Sequence, residues 1–199
     1  MPRARDLYLA RHGETAWNHE YRWQGHTDIV LNDQGRQQAA ALGESLRSAG
    51  IKYVFSSDLR RAHETATIAA NVLGVSTVTV DARLRERGFG AFEGLTREEC
   101  ESKFPDIWAA YQSDRRIMPP GSEPHEIVIE RMTAGVYAAV EAANADEGGI
   151  LLVGHGGALR LFLSALFDRP FAQIANGGVL RATVVDGRLH DVADLGVAA

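Results

Sequence analysis

Cysteine is almost absent from this chain, in which Cys100 is the single cysteine among 199 residues. One cysteine supports neither a disulfide framework nor a cysteine-based zinc site, so both are excluded. No apolar run approaches the roughly 18 residues of a membrane-spanning helix, and the apolar run near the N-terminus is too short for a signal peptide. We therefore expect a cytoplasmic protein that has no membrane partner.

An excess of positive charge is also missing. The 21 Lys and Arg residues are outnumbered by 26 Asp and Glu residues, which gives a formal net charge of −5. This balance argues against nucleic acid as a partner, although it allows a local basic pocket. Apolar residues make up 45% of the chain, which is an ordinary share for a globular protein. We expect a single domain over residues 1–199 that buries one sizeable core.

Short apolar runs alternate with helical patterns along most of the sequence. The apolar runs predict four strands, at 7–10, 53–57, 76–80 and 150–153. Asp186-Gly187 suits the two positive-φ positions of a tight turn and predicts a hairpin at the C-terminal end. This order of elements predicts an α/β fold with a mostly parallel sheet and an antiparallel piece at its end.

Helix signals lie between the predicted strands. Asn32 is the expected N-cap of one helix, and Gly50 follows its end. Ser57 or Asp58 is expected near the cap of a second helix, which Gly74 follows. An apolar helix is expected after the fourth strand, and residues 126–144 carry a further helical pattern.

Residues 83–125 do not fit this alternation. The segment contains several helix-breaking residues, namely Gly88, Gly90, Gly94, Pro105, Pro119, Pro120, Gly121 and Pro124. Irregular sequence of this length inside a compact domain is typical of a binding loop or a lid. We therefore interpret 83–125 as a lid or substrate-binding segment of the single domain.

Two segments share one layout, in which an apolar strand ends at a histidine followed by glycine. The first reads RHG at 11–13, and the second reads GHG at 154–156. Ligands of open α/β sheets bind outside the carboxyl ends of the strands. His12 and His155 are therefore expected to meet in one crevice, although they lie far apart in sequence.

Groups that suit a phosphoryl ligand surround these histidines. Gly156-Gly157 opens a helix, whose first N–H groups are unpaired and favour an anion. Arg11, Arg60 and Arg61 offer planar donor forks that match phosphate. A neutral imidazole in such a pocket can attack phosphorus, and neighbouring arginines favour its neutral form. His12 is the candidate nucleophile, and Glu86 in the irregular segment is the candidate proton donor.

Other interpretations of these motifs stay open at this point. The Arg60-Arg61 pair could be solvated helix charges, and Glu86 lies among arginines that could form a surface salt-bridge cluster with it. We interpret the remaining histidines as ordinary loop or surface residues and four glutamates as a solvated face. These are His19, His26, His63, His125 and His190, and Glu93, Glu98, Glu99 and Glu101. A metal site at the two motif histidines is disfavoured, because arginines accompany the candidate ligands and no metal-ligand spacing is present.

Taken together, the motifs resemble those of the histidine phosphatase superfamily, also called the phosphoglycerate mutase-like family. The resemblance spans nearly the whole chain, from LYLARHGET through SSDLRRAHETA, LRERGFGAFEGLT and PGSE to LLVGHGGALR. It implies a three-layer α/β/α sandwich with a mostly parallel mixed sheet, and catalysis without a metal or another cofactor. It leaves open a monomer or a homodimer, since both occur among relatives.

The resemblance also implies roles for particular residues. His12 matches the nucleophile that becomes phosphorylated, Glu86 matches the proton donor, and His155 completes the catalytic set. Phosphate contacts are implied for Arg11, Asn18, Arg61, His155 and Gly156, and substrate contacts for Gln24 and Gly25. Arg61 rather than Arg60 aligns with the arginine of the family's RA motif.

Three functions are compatible with that resemblance. We predict a phosphomonoester hydrolase that acts through a phosphohistidine on a small phosphorylated metabolite, because the segment between FEGLT and PGSE is short and GHGG lacks the Asn-Ser pair usual in mutases. A cofactor-dependent phosphoglycerate mutase is the first alternative, since Arg115-Arg116 could hold a carboxylate, although a solvated loop pair is favoured. A non-catalytic phosphate-ester binding relative is the second alternative.

One stretch departs from the family's motif. This chain reads PGSEP where relatives read PGGES, with differences at Ser122 and Pro124, and this predicts a differently shaped pocket rim.

Overall fold

A single mixed sheet forms the centre of the protein. The structure is a computed structural model that describes residues 4–143 and 148–197. Its strand order is β3-β2-β4-β1-β5-β6, with β3, β2, β4 and β1 parallel and with β5 and β6 antiparallel to their neighbours. The strands are β1 (Ala4–Arg11), β2 (Ile51–Ser56), β3 (Val78–Val80), β4 (Gly149–Gly154), β5 (Gly178–Val185) and β6 (Arg188–Val197). The predicted α/β class and the antiparallel C-terminal piece are confirmed.

Two layers of helices cover the sheet. The helices are α1 (Ala16–His19), α2 (Asp33–Ser45), α3 (Arg60–Leu73), α4 (Arg97–Lys103), α5 (Pro105–Ser113), α6 (His125–Ala142) and α7 (Gly156–Phe167). Alternate residues of a strand point to opposite faces, so Leu9 and Leu152 pack with α6 and α7 while Ala10 and Val153 pack with α2 and α3. This arrangement is the expected three-layer α/β/α sandwich.

The ends of the helices follow the sequence signals in part. Asn32 caps α2, as predicted, and its side chain accepts the N–H of Gly35. Ser57 and Asp58 lie near the cap of α3, as predicted, but the N-cap position itself is held by Leu59, whose N–H donates to the Ser57 hydroxyl at 3.2 Å. The Asp58 carboxylate instead accepts two hydrogen bonds from Arg85.

The turn and terminal signals have clear outcomes. Gly74 ends α3 in the left-handed conformation, with a φ of 74°. Asp186 and Gly187 have φ values of 49° and 75°, which confirms the tight hairpin turn. The helix predicted over 126–144 is α6, which ends at Ala142, and Asn144 lies outside the described residues.

The segment 83–125 is more ordered than the sequence suggests. It contains α4 and α5, and it packs around a small apolar cluster of its own, separate from the two faces of the sheet. Phe92, Cys100, Trp108 and Tyr111 are buried in this cluster, and Trp23 packs against them from outside the segment. The prediction of an irregular segment is therefore wrong for its middle, where aromatic packing stabilises two short helices between the breakers. No helix in 4–143 or 148–197 is long and apolar enough to span a membrane.

Candidate active site

Two histidines lie side by side where neighbouring strands end. Arg11 pairs with Gly154 in the parallel ladder of β1 and β4, and the N–H of His12 continues it by donating to the carbonyl O of Gly154 at 3.0 Å. This register places the ring of His12 next to that of His155, with centroids 5.2 Å apart. Both side chains are buried, so the structure brings the two motif histidines together at the carboxyl ends of β1 and β4.

The backbone fixes the tautomer of His12. Its Nδ1 lies 2.7 Å from the carbonyl O of Gly13 and donates to it, since a carbonyl oxygen only accepts. The lone pair of the neutral ring is then on Nε2. Burial lowers the pKa of His12 well below its ordinary value, and the charges of Arg61 and Arg11 lower it further. The ring is therefore neutral at pH 7 and carries a nucleophilic nitrogen.

The guanidinium groups of a buried arginine, Arg61, and of a partly buried one, Arg11, lie beside these rings. Arg61, in the first turn of α3, donates to the carbonyl O atoms of Gly25 at 2.7 Å and Thr27 at 2.9 Å. Arg11 donates to the carbonyl O of Ile174 at 2.9 Å. In the part of the chain that the structure describes, the Nε atoms of both arginines lack a partner and neither group forms an ion pair. Burial lowers the pKa of Arg61 to about 10, and the negative charges of Glu86, Asp28 and Glu93 offset this effect only in part.

His155 adds two further unpaired groups to the crevice. Neither ring nitrogen has a hydrogen-bond partner among the described residues. Burial lowers the pKa of His155 well below its ordinary value, and the positive charge of Arg61 adds to the effect. A neutral His155 retains one N–H donor for an anion. Together with the two arginines it forms a pocket suited to a tetrahedral oxyanion.

Glu86 occupies much of the helix end that the sequence assigned to phosphate. Its Oε2 accepts the N–H of Gly157 at 3.0 Å, and its Oε1 accepts the N–H groups of Ala158 at 2.7 Å and Arg87 at 2.8 Å. The expectation of a fully open α7 N-terminus is therefore wrong, and among the first three N–H groups only that of Gly156 stays available. Gly157 permits this contact, because a Cβ there would lie 2.7 Å from Oε1.

The arginines next to Glu86 in sequence have other partners. Arg83 pairs with Asp81 and Arg85 pairs with Asp58. Arg87 donates to the carbonyl O of Glu123. The alternative of a surface salt-bridge cluster around Glu86 is therefore wrong, since Glu86 is buried and bonded to backbone.

The loop that contains Gln24 and Gly25 lines the same pocket. Its carbonyl groups accept from Arg61, and Gln24 is buried with an Oε1 atom that has no partner among the described residues. Glu93 anchors the loop by accepting the N–H groups of His26 and Thr27 at 3.1 and 3.0 Å. Interpreting Glu93 as part of a solvated face is therefore wrong.

Asn18 and the residues that hold it lie at the first strand end. The Oδ1 of Asn18 accepts the N–H of Thr15 and the side-chain amide of Asn176, both at 3.1 Å. Its own amide nitrogen donates to none of the described residues and can therefore donate to a ligand.

Two residues that sequence reasoning missed support the nucleophile. Asn176 also donates to the carbonyl O of His12 at 3.1 Å, and Thr65 accepts the N–H of Gly13 at 3.0 Å. Asn176 lies in none of the motifs. Thr65 lies in SSDLRRAHETA, but its partner Gly13 is 52 residues away in sequence, so the motif alone did not indicate this contact.

Among the described residues, no hydrogen bond or ion pair links Arg115 or Arg116 to this pocket. Arg116 forms a two-pronged ion pair with Asp114 and is 77% exposed. The guanidinium of Arg115 lies 4.4 Å from the centre of the Tyr111 ring. This geometry favours a solvated loop pair. The described residues also include no group of three or more His, Cys, Asp or Glu side chains that could hold a metal.

Comparison with known proteins identifies relatives over most of the chain. The model of the histidine phosphatase superfamily (branch 1) matches residues 7–190. Phosphoglycerate mutase-like protein 4 of Arabidopsis thaliana is 39% identical over 82% of this chain and 70% of that protein. Glucosyl-3-phosphoglycerate phosphatase of Mycolicibacterium vanbaalenii is 36% identical over 96% of this chain and 88% of that protein. The mycobacterial glucosyl-3-phosphoglycerate phosphatase solved with VO3 superposes with a TM-score of 0.79 and 30% identity, over 92% of this chain and 97% of that one.

Proposed function

We propose that this chain, which belongs to the histidine phosphatase superfamily, hydrolyses small phosphomonoesters through a phosphohistidine formed on His12. One observation carries the proposal most directly. The tautomer of His12 leaves a lone pair on Nε2, beside Arg11 and Arg61, which form no ion pair and whose Nε atoms have no partner among the described residues. A phosphoryl group supplies both the electrophile for that nitrogen and the negative charge for those cations.

In the first step, Nε2 of His12 attacks phosphorus and the bond to the ester oxygen breaks. Arg11, Arg61 and the N–H of Gly156 bind the phosphoryl oxygens, and His155 and Asn18 donate further hydrogen bonds. These contacts stabilise the charge that the oxygens carry in the transition state. Glu86 gives its proton to the leaving oxygen, so that an alcohol departs rather than an alkoxide.

In the second step, water attacks the phosphohistidine and the phosphorus–nitrogen bond breaks. The carboxylate of Glu86 takes a proton from that water, and inorganic phosphate leaves. His12 is then neutral again and Glu86 is again protonated, so the cycle balances with no metal or other cofactor.

The hydrogen bonds of Glu86 are compatible with proton transfer. A carboxyl oxygen offers two lone-pair directions. Oε1 uses both, for the N–H groups of Arg87 and Ala158, whereas Oε2 uses one, for that of Gly157. One position on Oε2 is left for the transferred proton. The backbone therefore orients this group without consuming the site that the reaction needs.

Hydrolysis is favoured over mutase chemistry by the position of the arginine pair. Arg116 is bound to Asp114 at the surface and the Arg115 guanidinium packs on the Tyr111 ring, so both arginines of the pair are already engaged by other groups. The segment between FEGLT and PGSE is also short. We propose that 83–125, which contains Glu86, acts as a lid that selects the alcohol part of the substrate. One relative is named a glucosyl-3-phosphoglycerate phosphatase, so glucosyl-3-phosphoglycerate is a suitable first substrate to test.

The experiment is a panel of phosphomonoesters scored for release of phosphate. It includes sugar phosphates, nucleotides, glucosyl-3-phosphoglycerate and 3-phosphoglycerate, the last with and without a bisphosphoglycerate primer. We expect phosphate release, and no isomerisation of 3-phosphoglycerate. Primer-dependent isomerisation without phosphate release would support the mutase instead. Binding of phosphomonoesters without any turnover would support a non-catalytic relative.

A further inference from the structure

We propose that Arg131, on α6, is a positioning residue for the general acid, because its guanidinium fixes the backbone from which Glu86 projects. The proposal rests on the proposed function, since it concerns the proton donor of the same site. Arg131 belongs to none of the motifs that indicate a phosphate pocket. Its assignment comes from its hydrogen bonds.

Every N–H group of the Arg131 guanidinium has an acceptor. Nη1 donates to the carbonyl O atoms of Arg83 at 2.8 Å and Arg85 at 2.6 Å, and Nη2 donates to that of Glu86 at 2.8 Å. Nε and Nη2 also donate to the two carboxylate oxygens of Glu123, at 2.6 and 2.7 Å. A guanidinium has five N–H donors, and all five are used. Three of them bind the chain segment that ends at Glu86.

At these positions the backbone of that segment is held by side chains. It lies outside the sheet, and among the described residues no backbone N–H donates to the carbonyl groups of Arg83, Arg85 or Glu86. The other donor to the carbonyl O of Glu86 is Nε2 of His26, at 2.7 Å. His26 therefore helps to hold the backbone of Glu86, and interpreting it as an ordinary loop or surface residue is wrong. Within a strand, such carbonyl groups would accept hydrogen bonds from the backbone N–H groups of a neighbouring strand. Here they accept hydrogen bonds from polar side chains instead.

The chemistry of arginine suits this role better than that of lysine. A planar fork reaches several acceptors at fixed angles, whereas an ammonium is a point charge with three donors. Glu123 neutralises the Arg131 charge with a two-pronged pair, and both side chains are mostly buried, with 15% and 17% of their surfaces exposed. The pair can therefore stay in a single geometry between α6 and the pocket.

The consequence for Glu86 is that both of its ends are held. Arg131 and His26 fix its backbone carbonyl, and the first turn of α7 binds its carboxylate. Proton transfer needs heavy atoms within about 2.6–3.2 Å, so a small shift of the backbone would impair the acid and leave the phosphate pocket intact. Arg131 therefore acts on the step in which the leaving group is protonated.

The first test compares two leaving groups in Arg131→Lys. Nitrophenyl phosphate needs little help from an acid, whereas an alkyl phosphate needs much. We expect kcat for the alkyl phosphate to fall about tenfold more than kcat for nitrophenyl phosphate, with KM nearly unchanged. The control is Arg83→Lys, in the same segment, whose side chain bonds Asp81 alone among the described residues. Equal losses on both substrates in Arg131→Lys would overturn the proposal.

The second test places Arg131→Lys in a Glu86→Gln background. If Arg131 acts through Glu86, the lysine variant should cost no more than about a further twofold once the acid is gone. Losses that simply multiply would show that Arg131 acts by another route, and they would contradict the proposal.

The third test needs no turnover and so separates this proposal from the proposed function. The N–H groups of Gly157 and Ala158 are held by the Glu86 carboxylate, so their hydrogen exchange reports its position. We expect exchange at these two sites to be about tenfold faster in Arg131→Lys and in Glu86→Gln, and unchanged in Arg83→Lys. Unchanged exchange in Arg131→Lys would refute the positioning role, whether or not the protein hydrolyses phosphomonoesters.

A second variant covers the case in which Arg131→Lys does not fold. Glu123→Gln keeps the shape of the partner and removes its charge, which loosens the Arg131 fork without emptying the site. We expect kcat to fall more for the alkyl phosphate than for nitrophenyl phosphate. We also expect hydrogen exchange at Gly157 and Ala158 to be faster than in wild type. Both effects should be smaller than in Arg131→Lys. Wild-type behaviour of Glu123→Gln in both measurements would count against the proposal.

Discussion

The imidazole rings of His12 and His155 lie 5.2 Å apart at the carboxyl ends of two adjacent parallel strands, with their planes inclined by 59°. Both rings are buried next to two arginines, so protonation of either ring is unfavourable. The pocket therefore combines neutral nitrogens with fixed cations. That combination allows one imidazole to attack phosphorus while its surroundings bind the phosphoryl oxygens.

Two adjacent arginines of α3 provide a matched pair of substitutions. Arg61 is fully buried and holds the loop at Gly25 and Thr27, whereas Arg60 is exposed. Arg61→Lys should lower kcat/KM for a phosphomonoester at least about 100-fold, because lysine lacks the fork that spans the loop and the phosphate. Arg60→Lys should stay within about twofold of wild type. Steady-state kinetics on one substrate checks both, and similar losses in the two variants would contradict the assignment of Arg61.

Removal of the acid should depend on the leaving group. Glu86→Gln keeps the size of the side chain but cannot deliver a proton at the catalytic step. We expect kcat to fall about 100-fold or more for an alkyl phosphate, and much less for nitrophenyl phosphate, whose leaving oxygen departs readily as an anion. Parallel assays on the two substrates measure this difference. Equal losses would show that Glu86 supports the site in some other way.

The buried histidines should make folding stability depend on pH. The pKa of His155 in the folded protein lies well below the unfolded value near 6.5, so the unfolded chain binds more protons below that pH. The stability contributed by a neutral His155 is therefore present above pH 6.5 and is lost as the pH falls below it, by up to about 1.4 kcal/mol per pH unit.

Urea unfolding of wild type and His155→Gln at several pH values between 7 and 5 measures this contribution. The glutamine variant should lose stability less steeply, because it has no imidazole to protonate at this position on unfolding. Identical slopes in the two proteins would mean that His155 is not held neutral in the folded state.

Activity should not require a metal. The described residues include no cluster of three or more metal-ligating side chains, and the proposed cycle moves protons through Glu86 alone. Dialysis against a chelator, followed by assay in its presence, should leave kcat unchanged. Loss of activity in chelator, with recovery on adding a divalent cation, would contradict the mechanism.

Much of this site could be predicted from sequence because its parts lie in local patterns. A strand that ends in His-Gly has a fixed place at the edge of a parallel sheet, so the two motifs were sufficient to predict that His12 and His155 meet. The N-cap at Asn32 and the turn at Asp186-Gly187 were predictable for the same reason, since each depends on neighbouring residues alone.

What sequence reasoning missed depends on contacts between distant segments. Asn176 and Thr65 hold the backbone on either side of the nucleophile, and Arg131 holds the backbone of the acid. The carboxylate of Glu86 fills two of the N–H positions that the Gly156-Gly157 motif was expected to offer to phosphate. Each of these arrangements depends on tertiary contacts between segments that are far apart in sequence, so a local sequence pattern does not reveal it.

The central claim is that His12 forms a covalent phosphoryl intermediate. Rapid acid-free quenching during turnover of a labelled phosphomonoester, followed by peptide mapping, tests it directly. We expect an acid-labile, base-stable phosphoryl group on His12, and its absence in His12→Ala, in which turnover should fall by at least about a thousandfold. A label on serine or aspartate, or turnover retained in His12→Ala, would contradict it.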